Sequence, residues 1–243
     1  MKLARRAAAG SALAVATAYW VGMSPYSQLL GPFPYRATTT EKVAALTFDD
    51  GPNEPHTSRI ADFLGDRGIN ATFFQVGRCV ERYPQVTARL ARDGHVIGNH
   101  SYAHEFATCL DVFALREDLE RVHEVFHQVL GRQPLLYRPP WLLRTPTLFR
   151  TLSERSLHPV SGEFCHVLEV FQPAADRIAR RALAKAGPGC IIIFHDGFDS
   201  HGGDRSNTVE AVKLVVDRMS EAGYQFTTVD RLLGLPAYSS APR

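Results

Sequence analysis

Two carboxylates, Asp49 and Asp50, stand side by side in the stretch TFDDGP, at the end of an apolar run and just before a Gly-Pro pair. Adjacent like charges repel, so a folded chain keeps them together where something separates them or needs both. Further along, His100 and His104 are four residues apart, the spacing that puts two imidazoles on one face of a helical turn. Arg138 and Trp141 follow in YRPPW, and His195 in IIIFHD. Two histidines and one carboxylate are a donor set that holds catalytic zinc and leaves a fourth position for water. One aspartate can then bind the cation while its neighbour takes a proton from water, and the cation relieves the repulsion between the two. Singly, each feature has a plainer reading. DDG is a turn signal, an HxxxH pair is usually helix surface or a satisfied core pair, Arg138 could be a structural ion-pair member, Trp141 core, and His195 a hydrogen-bonded strand end. Convergence of all five in one cleft is what favours chemistry.

Convergence depends on the elements that carry these groups. Short apolar or β-branched runs at 43–48, 71–76, 95–98, 135–138, 159–164, 190–194 and 225–229 alternate with stretches of helical period near 57–67, 83–93, 113–130, 145–155, 174–186 and 207–222. In the third helix Leu115, Leu119, Val122, Phe126 and Val129 form one apolar stripe. Such alternation predicts an α/β fold, a parallel sheet with helices outside, closed as a barrel or open and doubly wound. No GxGxxG turn follows the first run, which disfavours dinucleotide binding. A barrel carries its active site at the C-terminal strand ends, and all the reactive residues follow apolar runs. Strand side chains alternate in direction, but the Gly51-Pro52 turn ends the first strand, so both aspartates can reach the cavity.

The 243 residues suffice for one large domain, and a composition of 45% hydrophobic and 21% charged residues is that of a globular protein. With a net charge of +2 and no basic stripe, nucleic acid is not the expected partner. Residues 1–35 read as a separate unit. Lys2, Arg5 and Arg6 precede an apolar run over 7–23, the pattern of an export signal or membrane anchor, and a Pro- and Thr-rich tether follows. Small residues at Ala14, Ala16 and Ala18 offer cleavage points. The protein is therefore expected outside the cytoplasm, secreted or anchored by residues 7–23, with its catalytic domain at 36–243. None of the four cysteines forms a CxxC pair, so a cysteine zinc site is not expected. Cys79 and Cys109, after neighbouring strands in an exported protein, are candidates for a disulfide.

A rival motif lies in HEVFH, residues 123–127, which matches the HExxH zinc signature of metalloproteases. Leu130 stands where the metzincin continuation needs glycine, and Glu154 is the remaining candidate for a distant third ligand. Both histidines border the apolar stripe of an outer helix, where partly exposed histidines are ordinary.

Taken in order, TFDDGP, HSYAH, RPPW and IIIFHD, with GYQFTTVDRLL near the end, resemble the motifs of the polysaccharide deacetylases, the NodB-homology carbohydrate esterases, over residues 43 to about 233. The resemblance implies a distorted (β/α) barrel with about seven parallel strands. It also implies hydrolysis of N-acetyl groups on the amino sugars of an acetylated polysaccharide or oligosaccharide, such as a cell-wall glycan or exopolysaccharide. By position, Asp50, His100 and His104 bind the metal, Zn2+ or another divalent ion such as Co2+. Asp49 is the general base, oriented by Arg138, and His195 the general acid. The backbone N–H of Trp141 helps hold the oxyanion, while Pro139, Pro140, Ile193 and Tyr102 contribute to the substrate wall. The family's Asp-Trp pair after the fifth strand corresponds to Glu169-Val170 here, which gives Glu169 as a partner for Arg138 and a less aromatic wall. The family's aromatic-Gly pair after RPP becomes Trp141-Leu142. A catalytically inactive carbohydrate-binding module on the same barrel is the alternative of a different class; the filled metal and proton-transfer positions argue against it.

Overall fold

The run that ends at Asp49 forms the central strand, β1 (Val43–Asp49), of the computed structural model, which describes residues 14–239. One edge of β1 pairs with β7 (Cys190–His195) along most of its length. The other edge is shared by β8 (Gln225–Thr227) at Val43–Ala45 and β2 (Thr72–Gln75) at Thr47–Asp49. Outward from β2 come β3 (Val96–Asn99), β4 (Leu136–Tyr137) and β5 (His158–Pro159), while β6 (Glu163–Phe164) borders β7. Every one of these pairings is parallel. The outermost strands β5 and β6 are joined by Val160-Ser161-Gly162 alone, so the sheet curls into a half-barrel.

The expected helices are α2 (His56–Gly65), α4 (Pro84–Arg92), α5 (Val112–Leu130), α6 (Pro146–Glu154), α7 (Ala175–Leu183) and α8 (Ser206–Glu221). A short α9 (Val229–Leu233) closes the fold. A helical turn unforeseen in the sequence, α3 (Gly77–Arg82), follows β2 directly; six residues are too few to establish a helical period. Helix α5 starts at Asp111, whose side chain accepts the N–H groups of Phe113 and Ala114, and stops at left-handed Gly131.

Period-two alternation separates two cores. Ala44, Leu46 and Phe48 face the helical layer, with Phe48 stacked between Phe73 and Phe194 at centroid distances of 4.8 and 5.9 Å. Ala45 faces inward, where Phe74, Val96, Leu136, Val160 and Ile191 form an apolar plug. Above that plug the inner face turns polar with Thr47 and Asp49.

Two expectations about the chain path change. The run 159–164 is interrupted, because the carbonyls of Val160 and Ser161 turn to accept hydrogen bonds from Arg138. The segment from residue 24 onward, read as a tether, lies against the barrel. Phe33 is fully buried with Leu142 and Ile193, the Arg36 side chain pairs with Glu163, and Ala37 N–H donates to Gly189 O. Ahead of this segment a helix, α1, covers 14–23; residues 1–13, with the start of the apolar run, lie outside the described residues. No helix among the described residues is long and apolar enough to cross a membrane.

Gly98 on β3 has no room for a side chain, since a Cβ there would sit 2.4 Å from Cδ1 of Phe74. Gly98→Ala is expected to displace that ring and to cost roughly 1–3 kcal/mol, read as a lower urea midpoint at unchanged slope.

Candidate active site

The register of β1 sets the first geometry. Asp49 is aligned with His195 on β7, so a carboxylate and an imidazole leave neighbouring strands at one level. His100 and Arg138 are placed likewise, following β3 and β4 where Asn99 pairs with Tyr137. Asp50 escapes the strand alternation by a left-handed backbone, φ 74°, and so turns to the same mouth as Asp49.

The two aspartates have different partners. Asp49 Oδ1 accepts from Arg138 Nη1 at 2.6 Å, and both residues are buried. The guanidinium also donates from Nη1 to Thr47 Oγ1 at 2.8 Å, from Nη2 to Ser161 O at 2.8 Å and from Nε to Val160 O at 3.3 Å. It lies 4.0 Å from the centre of the Phe74 ring. Asp50 faces the histidines instead, its Oδ1 3.3 Å from His100 Nε2 and 3.2 Å from His104 Nε2. Burial would raise the Asp50 carboxyl, but the charge of the His104 imidazole beside it holds it well below its ordinary value. His104 is itself pushed up to about 10: burial opposes its charge, but Asp50 and Asp199 outweigh burial.

Among the described residues, Asp50, His100 and His104 form the one group of three or more such side chains whose ligand atoms converge, all within 4.8 Å of one another. Asp50 Oδ1 is buried without a hydrogen-bond partner. His100 Nδ1 is 2.7 Å from Arg138 O, so it carries the proton and leaves Nε2 bare toward Asp50. An unpartnered carboxylate oxygen beside a bare imidazole nitrogen in a buried pocket fits a divalent cation.

The histidine spacing works by a different geometry from the helical one expected. HSYAH is an irregular loop with Ser101 and His104 at φ 71° and 55°. Asp118 on α5 holds it, accepting the N–H groups of Tyr102 at 2.9 Å and Ala103 at 3.2 Å, while Ser101 Oγ accepts from His104 N–H at 2.9 Å. Asp118 was legible as a carboxylate at a buried position between Leu115 and Val122 of an otherwise apolar stripe. Asp199 carried no such signal. It belongs to the loop after β7, where its N–H donates to Asp50 Oδ2 at 3.1 Å and its Oδ1 lies 3.1 Å from His104 Nδ1.

Glu169 pairs with His195, not with Arg138. Its Oε2 lies 2.6 Å from His195 Nδ1, and its Oε1 accepts from Thr208 Oγ1. Arg138 is occupied on the other side by Asp49 and two carbonyls, so nothing draws Glu169 there. Burial would lower the His195 imidazole, but Glu169 pushes it up to about 9. Asp196 next to it is buried beneath Gly51 and accepts from Thr57 Oγ1 at 2.5 Å; burial raises its carboxyl to about 7.

Asp49, Asp50, His100, His104, His195 and Asp199 open into a cavity of about 640 Å3. Trp141 and Pro139 are on its wall, and Trp141, at φ 53°, packs its ring 4.4 Å from that of His104. Pro140, Ile193 and Tyr102 are not on the wall. Pro140 and Ile193 are buried behind it, and the Tyr102 ring lies in the helical layer under Arg121, with its hydroxyl donating to Glu81. All four cysteines are buried free thiols, so Cys79 and Cys109 are not joined; Cys79 belongs to α3 and Cys109 to the turn before α5. His123 and His127 are exposed on α5, and Glu154 pairs with Arg116 at 3.0 Å, which removes the rival zinc motif.

The sequence profile of the family described as polysaccharide deacetylase matches residues 36–159. A peptidoglycan-N-acetylglucosamine deacetylase of Bacillus cereus is 31% identical over 204 residues, covering 84% of this chain and 93% of that protein. A chitooligosaccharide deacetylase of Rhizobium leguminosarum bv. trifolii is 29% identical, covering 76% of this chain and 88% of that one. The crystal structure of the peptidoglycan N-acetylglucosamine deacetylase Bc1960 superimposes with a TM-score of 0.78 at 26% identity, over 84% of this chain and 94% of that one.

Asp118 touches no ligand atom of the triad, yet it fixes the loop that bears His104. Asp118→Ala is expected to weaken zinc binding about 10- to 100-fold, measured by titration calorimetry, with the fold retained by circular dichroism.

Proposed function

The chain belongs to the polysaccharide deacetylase family, and we propose that it removes N-acetyl groups from the amino sugars of a cell-wall glycan of the peptidoglycan or chitooligosaccharide kind. One observation carries this reading. Asp50 Oδ1 lies unpartnered between two imidazole nitrogens, beside a carboxylate held by arginine and an imidazole held by glutamate. Asp50, His100 and His104 would hold the metal, zinc or another divalent ion such as cobalt. When bound, that ion supplies Lewis-acid polarisation of the amide carbonyl and makes water acidic near neutral pH.

The chain's own groups carry the protons. Asp49, fixed by Arg138, takes a proton from the attacking water. The water oxygen bonds to the carbonyl carbon, and the backbone N–H of Trp141 helps hold the charge that develops on the carbonyl oxygen. His195 then donates a proton to the departing nitrogen. The C–N bond breaks, acetate leaves, and the sugar retains a free amine. An imidazole raised to about 9 by Glu169 is protonated at neutral pH, as this donor must be. Glu169 is thus a positioning residue for His195.

A cell-wall substrate places the enzyme outside the cytoplasm. Lys2, Arg5, Arg6 and the apolar run that begins at residue 7 suit export. An inactive carbohydrate-binding module would not need this full set of proton-transfer groups.

Acetate release from N-acetylglucosamine oligomers and peptidoglycan should be abolished by a chelator and restored by zinc. No release from either glycan after zinc loading would overturn the reading in favour of the binding module. Asp49→Asn is expected to keep its metal, by elemental analysis, and to lose about 10²- to 10⁴-fold in kcat. The rate should fall as pH rises through about 9, where His195 loses its proton. In Glu169→Gln that decline should move to lower pH, toward the ordinary imidazole range, with at least roughly tenfold lower kcat at pH 8.

A further inference from the structure

Part of the catalytic cleft is built by residues that precede the barrel. Tyr19, Trp20 and Tyr26 line the same cavity as Asp49, Asp50 and His195. These three aromatic side chains remain 45–60% exposed, and the chain's two tryptophans, Trp20 and Trp141, both face this space.

The segment is anchored on both sides of these rings. Arg144 is buried and donates from Nη2 to Val21 O at 3.1 Å and Ser24 O at 2.7 Å, and from Nη1 to Ser27 O at 3.2 Å. Its own backbone N–H donates to Gly22 O at 2.8 Å, and its guanidinium lies 4.5 Å from the centre of the Phe33 ring. A buried cation is costly unless its donors are satisfied, so these carbonyls are structural partners of Arg144. The carbonyls of Val21, Gly22 and Ser24 also lie at the C-terminal end of α1, where a cation is favoured. Ser161 makes the second attachment. Its Oγ donates to Pro25 O at 2.8 Å and its N–H to Pro34 O at 2.9 Å, while its carbonyl accepts from Arg138. The residue that helps fix the catalytic arginine thus also fixes this strap.

We infer that residues 19–26 form a subsite for the sugar ring adjoining the one that is deacetylated, so that the enzyme selects oligosaccharides by length. This rests on the deacetylase reading of the same cleft. A pyranose presents apolar C–H faces rimmed by hydroxyls. Half-exposed tryptophan and tyrosine rings match both features, being apolar over their faces and polar at their tips. The cavity volume is in the range of sites that enclose drug-sized ligands, roughly 300–1,000 Å3, larger than one acetamido sugar requires. The metal triad and the strap residues Tyr19, Trp20 and Tyr26 share this one cavity. Cleavage by a signal peptidase after Ala14, Ala16 or Ala18 would leave Tyr19 onward in the mature enzyme.

The test uses the full-length, zinc-loaded chain with N-acetylglucosamine and its tetramer as substrates. Trp20→Ala should lower kcat/KM about tenfold for the tetramer, through KM, and by a clearly smaller factor for the monomer, which has no adjoining ring. Trp20→Phe should recover most of the loss. In a Trp141→Phe chain, where Trp20 is the only tryptophan, saturating tetramer should shift the indole emission. Equal losses for both lengths in Trp20→Ala, or an unchanged Trp20 emission while acetate is still released, would overturn the subsite. Failure of the unsubstituted enzyme to release acetate from the tetramer would overturn the deacetylase reading itself.

Discussion

A guanidinium with no solvent exposure stands at the centre of this fold. Breaking a buried ion pair by removing one partner typically costs about 3–5 kcal/mol, so the surroundings of Arg138 must keep its partners in place. Asp49 supplies the opposite charge, Thr47 an acceptor two residues back on the same strand face, and Val160 and Ser161 two carbonyls. Several local features are consequences of that requirement. The strand expected over 159–164 breaks so that its carbonyls can turn inward. Gly98 stays bare so that Phe74 can lie beneath the guanidinium.

From this centre, charge is distributed in pairs. Two adjacent carboxylates would repel, and the structure sends them to opposite partners. Asp49 continues the strand alternation toward Arg138, and Asp50 turns through a left-handed backbone toward two imidazoles. Glu169 gives His195 its own carboxylate, so His195 and Asp49 are each held by a separate neighbour. Burial alone would lower the His195 imidazole, and Glu169 instead keeps it protonated at neutral pH.

Loops and helices outside the sheet supply the remaining precision. Asp118 reaches from α5 into the HSYAH loop, Asp199 reaches from the β7 loop to both Asp50 and His104, and Ser161 ties the N-terminal strap to the arginine. Each contributes hydrogen bonds to backbone or to a ligand side chain, and none belongs to the four motifs that carry the family resemblance.

Much of the fold was legible in the chain because burial imposes periodicity. The seven apolar runs became the eight parallel strands, and the six long helical stretches became helices, since alternation of two and stripes of 3.6 survive any packing. The convergence of Asp49, Asp50, His100, His104, Arg138 and His195 was legible too, because strand ends in a parallel barrel must meet at one mouth. Partner choice was legible only in part. That Glu169 turns to His195, that HSYAH is a loop pinned by Asp118, and that residues 19–26 line the cleft all depend on contacts between segments far apart in sequence. The order of residue types determined which elements form and which chemistry they can carry. Only the tertiary structure decided which charge answers which, because a buried charge takes the partner that packing brings within a few ångströms, whatever its place along the chain.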